Sequence, residues 1–243
     1  YSFTKMSSPR LRILHTNDLH GSMNDTRFDR LKAIRDEFDI YLDTGDAIKT
    51  GNLGIPLREE PVWARFAELG CTAGAPGNRE SHVLKSAFEA KLAGRRHALL
   101  CANLRDRQGG QPLPASKIVE VNGLRIGLVG VMVPMVTEKM KSKAVSHYLW
   151  TQPIPAAIEE GEKLRSEVDL LFALTHIGHR QDTVLAEKIG IYDAIFGGHS
   201  HTVLQRPELI NRTWICQGGS HGRFYGDYVW EDGRLTGGLH PLG

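Results

Sequence analysis

The stretch LRILHTNDLHG, residues 11–21, runs an apolar segment rich in β-propensity straight into a polar loop holding Asp18 and His20. Leu11 to Thr16 reads as a strand punctuated by Asn-Asp and then by His-Gly. Four more stretches repeat the pattern. Apolar runs at 39–43, 71–75, 169–175 and 192–196 are followed by DTGD (Asp43, Asp46), GNRE (Asn78), LTHIGH (His176) and GGHSH (His199, His201). Each string alone is short enough to occur by chance, and a lone Asp or His after a strand is ordinarily a turn or cap residue. It is their shared position behind strands that groups them.

Helical periodicity fills the intervals at 26–38, 59–69, 80–93, 155–168 and 183–189, with Gly70, Gly94 and Gly190 placed as C-terminal caps. Alternating strands and helices imply parallel pairing with right-handed crossovers, so the strand ends carrying these polar residues share one edge. The runs 116–121 and 124–131 flank Asn122-Gly123, and 225–230 and 235–239 flank Asp232-Gly233, two hairpin signals. Hairpins added to parallel units predict an α/β fold of two mixed β-sheets packed face to face with helices outside.

The 243 residues, 41% of them hydrophobic, suffice for one sizeable core, and no repeat or long linker divides them. A single domain over 11–243 is expected, behind an N-terminal tail of residues 1–10. Residues 1–5 precede Met6 and read either as a remnant of expression or as the end of a trimmed leader. The net charge of +2, with basic residues dispersed apart from Arg95-Arg96 and Lys139 to Lys143, does not argue for nucleic acid, and no nucleic-acid partner is expected. No run of about 20 apolar residues predicts a membrane span. Cys71, Cys101 and Cys216 lack zinc-type spacing and read as buried thiols, which favours a reducing, cytoplasmic setting. The oligomeric state is not legible.

Carboxylate, imidazole and amide oxygen together suit manganese, iron or zinc better than an oxygen-only calcium cage. Two such ions about 3.5–4 Å apart need a bridging carboxylate, and Asp46 is the natural bridge. With these motifs in this order, the chain resembles the calcineurin-like metallophosphoesterases, specifically the 5'-nucleotidase and sugar-nucleotide hydrolase branch. The resemblance extends from Leu11 to Gly226 and includes ILHTNDLHG, LDTGD, LLCANL, NGLRIGLVGV, LTHIGH and GGHSHT. It implies the four-layer αββα sandwich. It also implies two divalent ions, manganese first with iron or zinc as options, one held by Asp18, His20, Asp46 and His201 and the other by Asp46, Asn78, His176 and His199. A hydroxide bridging them would attack the phosphorus of a small phosphorylated substrate. The family's nucleotidases usually carry a further C-terminal nucleotide-binding domain, which is not expected here. A phosphomonoesterase or 5'-nucleotidase-like phosphatase is therefore expected, with a phosphodiesterase or small-nucleotide hydrolase as alternative and a metal-binding module with little turnover as the alternative of another class.

One block departs from the family's pattern. Its usual Gly-Asn-His-(Asp/Glu) reads Gly77-Asn78-Arg79-Glu80 here. Arginine cannot serve as a general acid, but its guanidinium suits phosphate oxygens. Arg79 is thus expected to stabilise charge, while His82, or else His179 or His221, supplies a proton to the leaving group. Asn103, His179 and His221 are candidates for substrate contact, Asn103 reading equally as a turn residue. Asp43 reads as orienting a ligand, Asp182 as a helix N-cap, and Phe224 and Tyr225 as core packing or a stacking surface for a base. His15, His97, His147 and His240 have no partner pattern.

Overall fold

The computed structural model describes residues 9–243, so the expected tail lies outside the described residues apart from Pro9 and Arg10. Two six-stranded sheets form the centre. The first contains β1 (Leu11–Thr16), β2 (Ile40–Asp43), β3 (Ala73–Gly74), β4 (Ala98–Leu99), β13 (Phe224–Glu231) and β14 (Arg234–Pro241), in the order β14-β13-β1-β2-β3-β4. The second contains β6 (Ser116–Val121), β7 (Leu124–Met132), β9 (Leu170–His176), β10 (Ala194–Phe196), β11 (Glu208–Ile210) and β12 (Thr213–Cys216), in the order β11-β12-β10-β9-β7-β6. A small ribbon pairs β5 (Leu104–Asp106) with β8 (Tyr148–Trp150).

Within each sheet the central strands are parallel, and the two expected hairpins pair antiparallel at the edges. Asn122-Gly123 and Asp232-Gly233 all take positive φ, as the tight hairpin turn requires.

Alternation along the strands divides the core into three layers. Leu170, Phe172 and Leu174 of β9 meet Leu11, Ile13 and Leu42 between the sheets. Leu171 and Ala173 face outward against Ile154, Ala157 and Leu185 of α4 (Pro153–Arg165) and α5 (His179–Ile189). Leu14 and Tyr41 face the opposite way, against Leu31, Trp63, Phe66 and Phe88 of α1 (Asp25–Ile34), α2 (Pro61–Glu68) and α3 (Lys85–Leu92). The result is the expected αββα stack. No helix among the described residues is long and apolar enough to cross a membrane.

Two helix starts differ from the periodicity. The helix expected from residue 80 begins at Lys85, because Glu80 turns inward to main-chain donors of a neighbouring loop. The helix expected from 183 begins at His179 behind Gly178. Asp182 is therefore not the N-cap but a fully buried residue of the first turn, accepting from Thr175 Oγ1 at 2.6 Å.

Candidate metal centre and active site

The loops that follow β1, β2, β9 and β10 converge, with the loop after β3, on one cluster of polar side chains. Nine non-glycine residues among those described have positive φ, and six of them are Asp18, His20, Asp46, His199, His201 and His221. The other three, Asn122, Asn211 and Asp232, occupy turns between antiparallel strands. Left-handed backbone at a residue with a Cβ costs energy and persists only where its surroundings impose it. Here the imposing contacts are visible. The Asp18, His20 and Gly21 N–H groups donate to the carbonyls of Gly45, Asp46 and Ala47 at 2.8, 2.7 and 2.9 Å, and His221 N–H donates to Asp18 O at 2.7 Å.

The side chains then point together. His20 Nε2 lies 3.3 Å from Asp46 Oδ2 and 3.7 Å from Asp18 Oδ1, and His201 Nε2 lies 3.3 Å from Asp18 Oδ1. His176 Nε2 lies 3.6 Å from Asp46 Oδ1, 3.9 Å from Asp18 Oδ1 and 3.2 Å from Asn78 Oδ1. His199 Nδ1 completes the group at 3.1 Å from Asn78 Oδ1. Asp18, His20 and His201 form one set of ligand atoms close enough to share an ion, and Asp18, Asp46 and His176 form another.

Asp18 states the chemistry of the cluster. Its Oδ2 accepts from Asn17 Nδ2 at 2.7 Å and His199 N at 2.9 Å. Its Oδ1 is buried without a hydrogen-bond partner, facing three imidazole nitrogens. A buried carboxylate oxygen left bare is costly, and a cation among those nitrogens would satisfy it. Burial alone would lower the pKa of His176, yet Asp46 and Asp18 outweigh it and raise it to about 9; the carboxylates draw positive charge to this point.

The surrounding groups fix the orientation of these side chains. His176 Nδ1 donates to Thr44 O at 2.7 Å, which directs Nε2 into the cluster. Asn17 also donates to Gly219 O and accepts from Gly218 N, tying Asp18 to the last loop of the site. Glu80 accepts the N–H groups of Asp46, Ala47, Ile48 and Gly77 at 2.8–3.1 Å. Lys91, fully buried, donates to the carbonyls of Gly51, Asn52, Arg79 and Ser81 at 2.7–3.2 Å. Burial lowers its pKa to about 8, against the pull of Glu80, Asp46 and Glu60.

The remaining candidates separate by position. Arg79 N–H donates to Asp46 Oδ1 at 2.8 Å, and its guanidinium donates to Lys49 O at 3.0 Å. Its charge is among those that depress His221, after burial and the two histidines beside it. His221 stands against His20, Nε2 to Nδ1 at 3.2 Å, with its own Nδ1 at Ser220 Oγ. His82 Nδ1 accepts Leu84 N–H at 3.0 Å, at the head of α3. His179 Nε2 pairs with Glu208 at 2.7 Å.

Asn103 does not offer its amide to a ligand. It is fully buried, donating to Met132 O and Thr151 O and accepting from Met132 N, so it braces the end of β7. Asp43 likewise holds the main chain, accepting from Thr16 Oγ1 and Gly45 N. Tyr225 stacks on His240 with ring centroids 5.4 Å apart, and Phe224 lies under the Arg223 guanidinium.

The profile of the calcineurin-like phosphoesterase family matches residues 11–203. Among curated proteins, the 5'-nucleotidase of Diplobatis ommata is 29% identical over 233 residues, covering 84% of this chain and 40% of that protein. The 5'-nucleotidase of Vibrio vulnificus is 25% identical over 279 residues, covering 93% and 50%. The chain thus spans about half or less of these relatives' length. Of solved structures, the 5'-nucleotidase precursor from Thermus thermophilus superposes with a TM-score of 0.76 at 20% identity, over 96% of this chain and 54% of that one. The phosphoesterase YfkN from Bacillus subtilis gives 0.75 at 18% identity, over 97% and 91%. The fold, the convergent loops and the matched residues agree: the chain belongs to the calcineurin-like phosphoesterase family.

Proposed function

We propose that this protein is a dinuclear metal-dependent hydrolase of small phosphate esters, a phosphomonoesterase or 5'-nucleotidase-like phosphatase. The observation that carries the reading is the bare, buried Oδ1 of Asp18 facing the nitrogens of His20, His176 and His201. One ion would be held by Asp18, His20, Asp46 and His201, the second by Asp46, Asn78, His176 and His199. The mixed donor set favours manganese, with iron or zinc as substitutes. When bound, such a pair supplies Lewis acidity toward the phosphoryl group and an acidified water as nucleophile.

The chain's own residues supply the rest. His176 presents Nε2 because Nδ1 is held by Thr44 O. His221 serves as a positioning residue for His20, through the contact between Nε2 and Nδ1. Arg79, anchored through its N–H to Asp46 Oδ1, offers the fixed cationic fork that phosphoryl oxygens require. His179 is paired with Glu208, and His82 accepts Leu84 N–H at Nδ1, so a proton for the leaving group would have to come from the second ring nitrogen of His82.

Phosphate release from 4-nitrophenyl phosphate and from a nucleoside 5'-monophosphate, with manganese and then with EDTA, tests the reading. Chelator-sensitive release from either is expected. Faster hydrolysis of bis(4-nitrophenyl) phosphate would favour a diesterase, and turnover of none of these esters at full metal occupancy would replace the proposal with a metal-binding module. The three free thiols lead us to place the protein in a reducing compartment.

A further inference from the structure

Beside the metal cluster, the chain between Lys49 and Val62 folds back over Gly21 and Met23 and leaves a cleft of about 570 Å³. That is within the range of small-ligand sites, roughly 300–1,000 Å³. Its walls join the apolar Met23, Ile55, Pro56 and Val62 to two bases, Lys49 and Arg58, and two acids, Glu59 and Glu60. Ile55 and Leu57 are 53% and 104% exposed, unusual for side chains of their size unless something apolar covers them.

The cleft is joined to the metal cluster by short covalent and hydrogen-bonded links. Gly21 follows His20 directly, and Lys49 lies three residues after Asp46. Lys49 O receives the Arg79 guanidinium, and Asn52 Oδ1 accepts from Asn78 Nδ2 at 2.9 Å. The wall is also held in place. Glu60 accepts the N–H groups of Lys49 and Thr50, and Lys91 binds Gly51 O and Asn52 O with the same ammonium that binds Arg79 O and Ser81 O. Cleft wall and Arg79 segment are therefore one braced unit.

We propose that this cleft is the subsite for the organic part of the phosphate ester, and that it selects apolar, ring-bearing leaving groups over small polar alcohols. The inference rests on the phosphoester reading of the adjacent metal cluster. Met23, Ile55, Pro56 and Val62 give the ring an apolar surface, and the two bases and two acids of the rim balance one another.

Binding distinguishes this subsite from the chemistry. Zinc-loaded protein, diamagnetic and so suited to NMR, is titrated with phenylphosphonate and with methylphosphonate while the methyl signals of Met23 and Ile55 are followed. Phenylphosphonate is expected to shift both signals and to bind more tightly than methylphosphonate. In Ile55→Asp that preference should fall about 10-fold, the scale of a lost apolar contact in a specificity pocket. If the two phosphonates bind alike and neither methyl moves, the subsite is wrong even where phosphate esters are hydrolysed. If the shifts occur in a protein that hydrolyses no phosphate ester, the phosphoesterase reading falls and takes the leaving-group role of the cleft with it, although the cleft still binds the ring. Should Ile55→Asp instead convert a dimer to a monomer with the phenyl preference intact, the exposed side chains belong to a contact between copies, and the proposal is overturned.

Discussion

Glu80 holds Asp46 from behind: its carboxylate accepts the Asp46 N–H at 2.8 Å and, through the same two oxygens, those of Ala47, Ile48 and Gly77. Asp46 has positive φ, and its own carboxylate lies between His20 and His176. A buried acid spent on main-chain donors thus fixes the backbone from which the Asp46 carboxylate projects. Burial and the Asp46 charge push the Glu80 pKa upward, while the main-chain donors work the other way.

Glu80→Ala should consequently cost more than an ordinary surface acid. Four buried N–H groups would lose their acceptor, each unsatisfied donor costing about 1–3 kcal/mol, relieved in part by water entering the gap. A loss of several kcal/mol in urea unfolding, together with metal content below that of the wild type, is expected. Wild-type metal occupancy and an unchanged urea midpoint would show that Glu80 is not the brace of this loop.

Asp18→Asn separates metal binding from folding. The variant's side-chain oxygen can still accept from Asn17 and His199, which Asp18 Oδ2 does now. What disappears is the bare anionic oxygen. The metal-free variant should melt at or above the temperature of metal-free wild type, whereas added manganese should raise the melting temperature of wild type alone, because only a ligand that binds the native state stabilises it. Equal stabilisation of both proteins by manganese would remove Asp18 from the ligand set.

Asp182, bonded to Thr175 beside His176, gives a pH signature of its own. Burial raises its pKa from the ordinary 3.8 to about 7, with Thr175 and Gln217 holding it back. Between those values the folded state binds a proton that the unfolded chain does not. Stability therefore falls as pH rises from about 4 to about 7 and levels off above. The swing attributable to this group is at most about 4 kcal/mol, three pKa units at about 1.4 kcal/mol each. Asp182→Asn should gain on the wild type as pH rises through this window, measured as the difference in urea midpoint at pH 4.5, 6 and 8. A difference that stays constant across the three would mean Asp182 is ionised in the fold.

Sequence and structure agree where a local pattern has one physical reading. Short apolar runs at 11–16 and 169–175 with punctuated ends, and Asn-Gly and Asp-Gly between strand-like runs, point to strands and turns because run length and turn chemistry are both local. The loops after those strands were legible for the same reason, and they bring Asp18, His20, Asp46, Asn78, His176, His199 and His201 into one cluster. Its supports were not legible. Glu80 reads as an acid opening a helix and Asp182 as a cap, and nothing in the run 80–93 marks Lys91 as buried, since burial of a charged side chain is decided by partners distant in sequence. Asn17 and Gln217 were missed outright; each makes its bonds across loops that no window of residues contains. Asn103 shows the reverse error, a polar residue after an apolar run whose amide is consumed by Met132 and Thr151.

Arg79 carries the most discriminating prediction, because it occupies the position at which this chain departs from the motif it otherwise follows. A guanidinium can stabilise developing charge but is no general acid. Of the histidines named as alternative donors, His179 is paired with Glu208 and His221 with His20, while His82 accepts Leu84 N–H at Nδ1 and keeps a proton only on its second ring nitrogen. Hydrolysis should accordingly depend steeply on leaving-group acidity, fast for nitrophenyl esters and slow for alkyl esters. Arg79→Ala should lower turnover about 100- to 1000-fold even on the nitrophenyl ester, the cost typical of removing one charge-stabilising donor. Arg79→His should recover alkyl-ester turnover relative to Arg79→Ala, by restoring a group that can give up a proton, and should flatten the dependence on leaving-group pKa. The measurement is kcat/KM over a series of substituted phenyl and alkyl phosphates for all three proteins at equal metal content. Wild-type turnover in Arg79→Ala on every ester would exclude Arg79 from charge stabilisation, and a shallow wild-type slope would mean that a proton donor is at work despite these contacts.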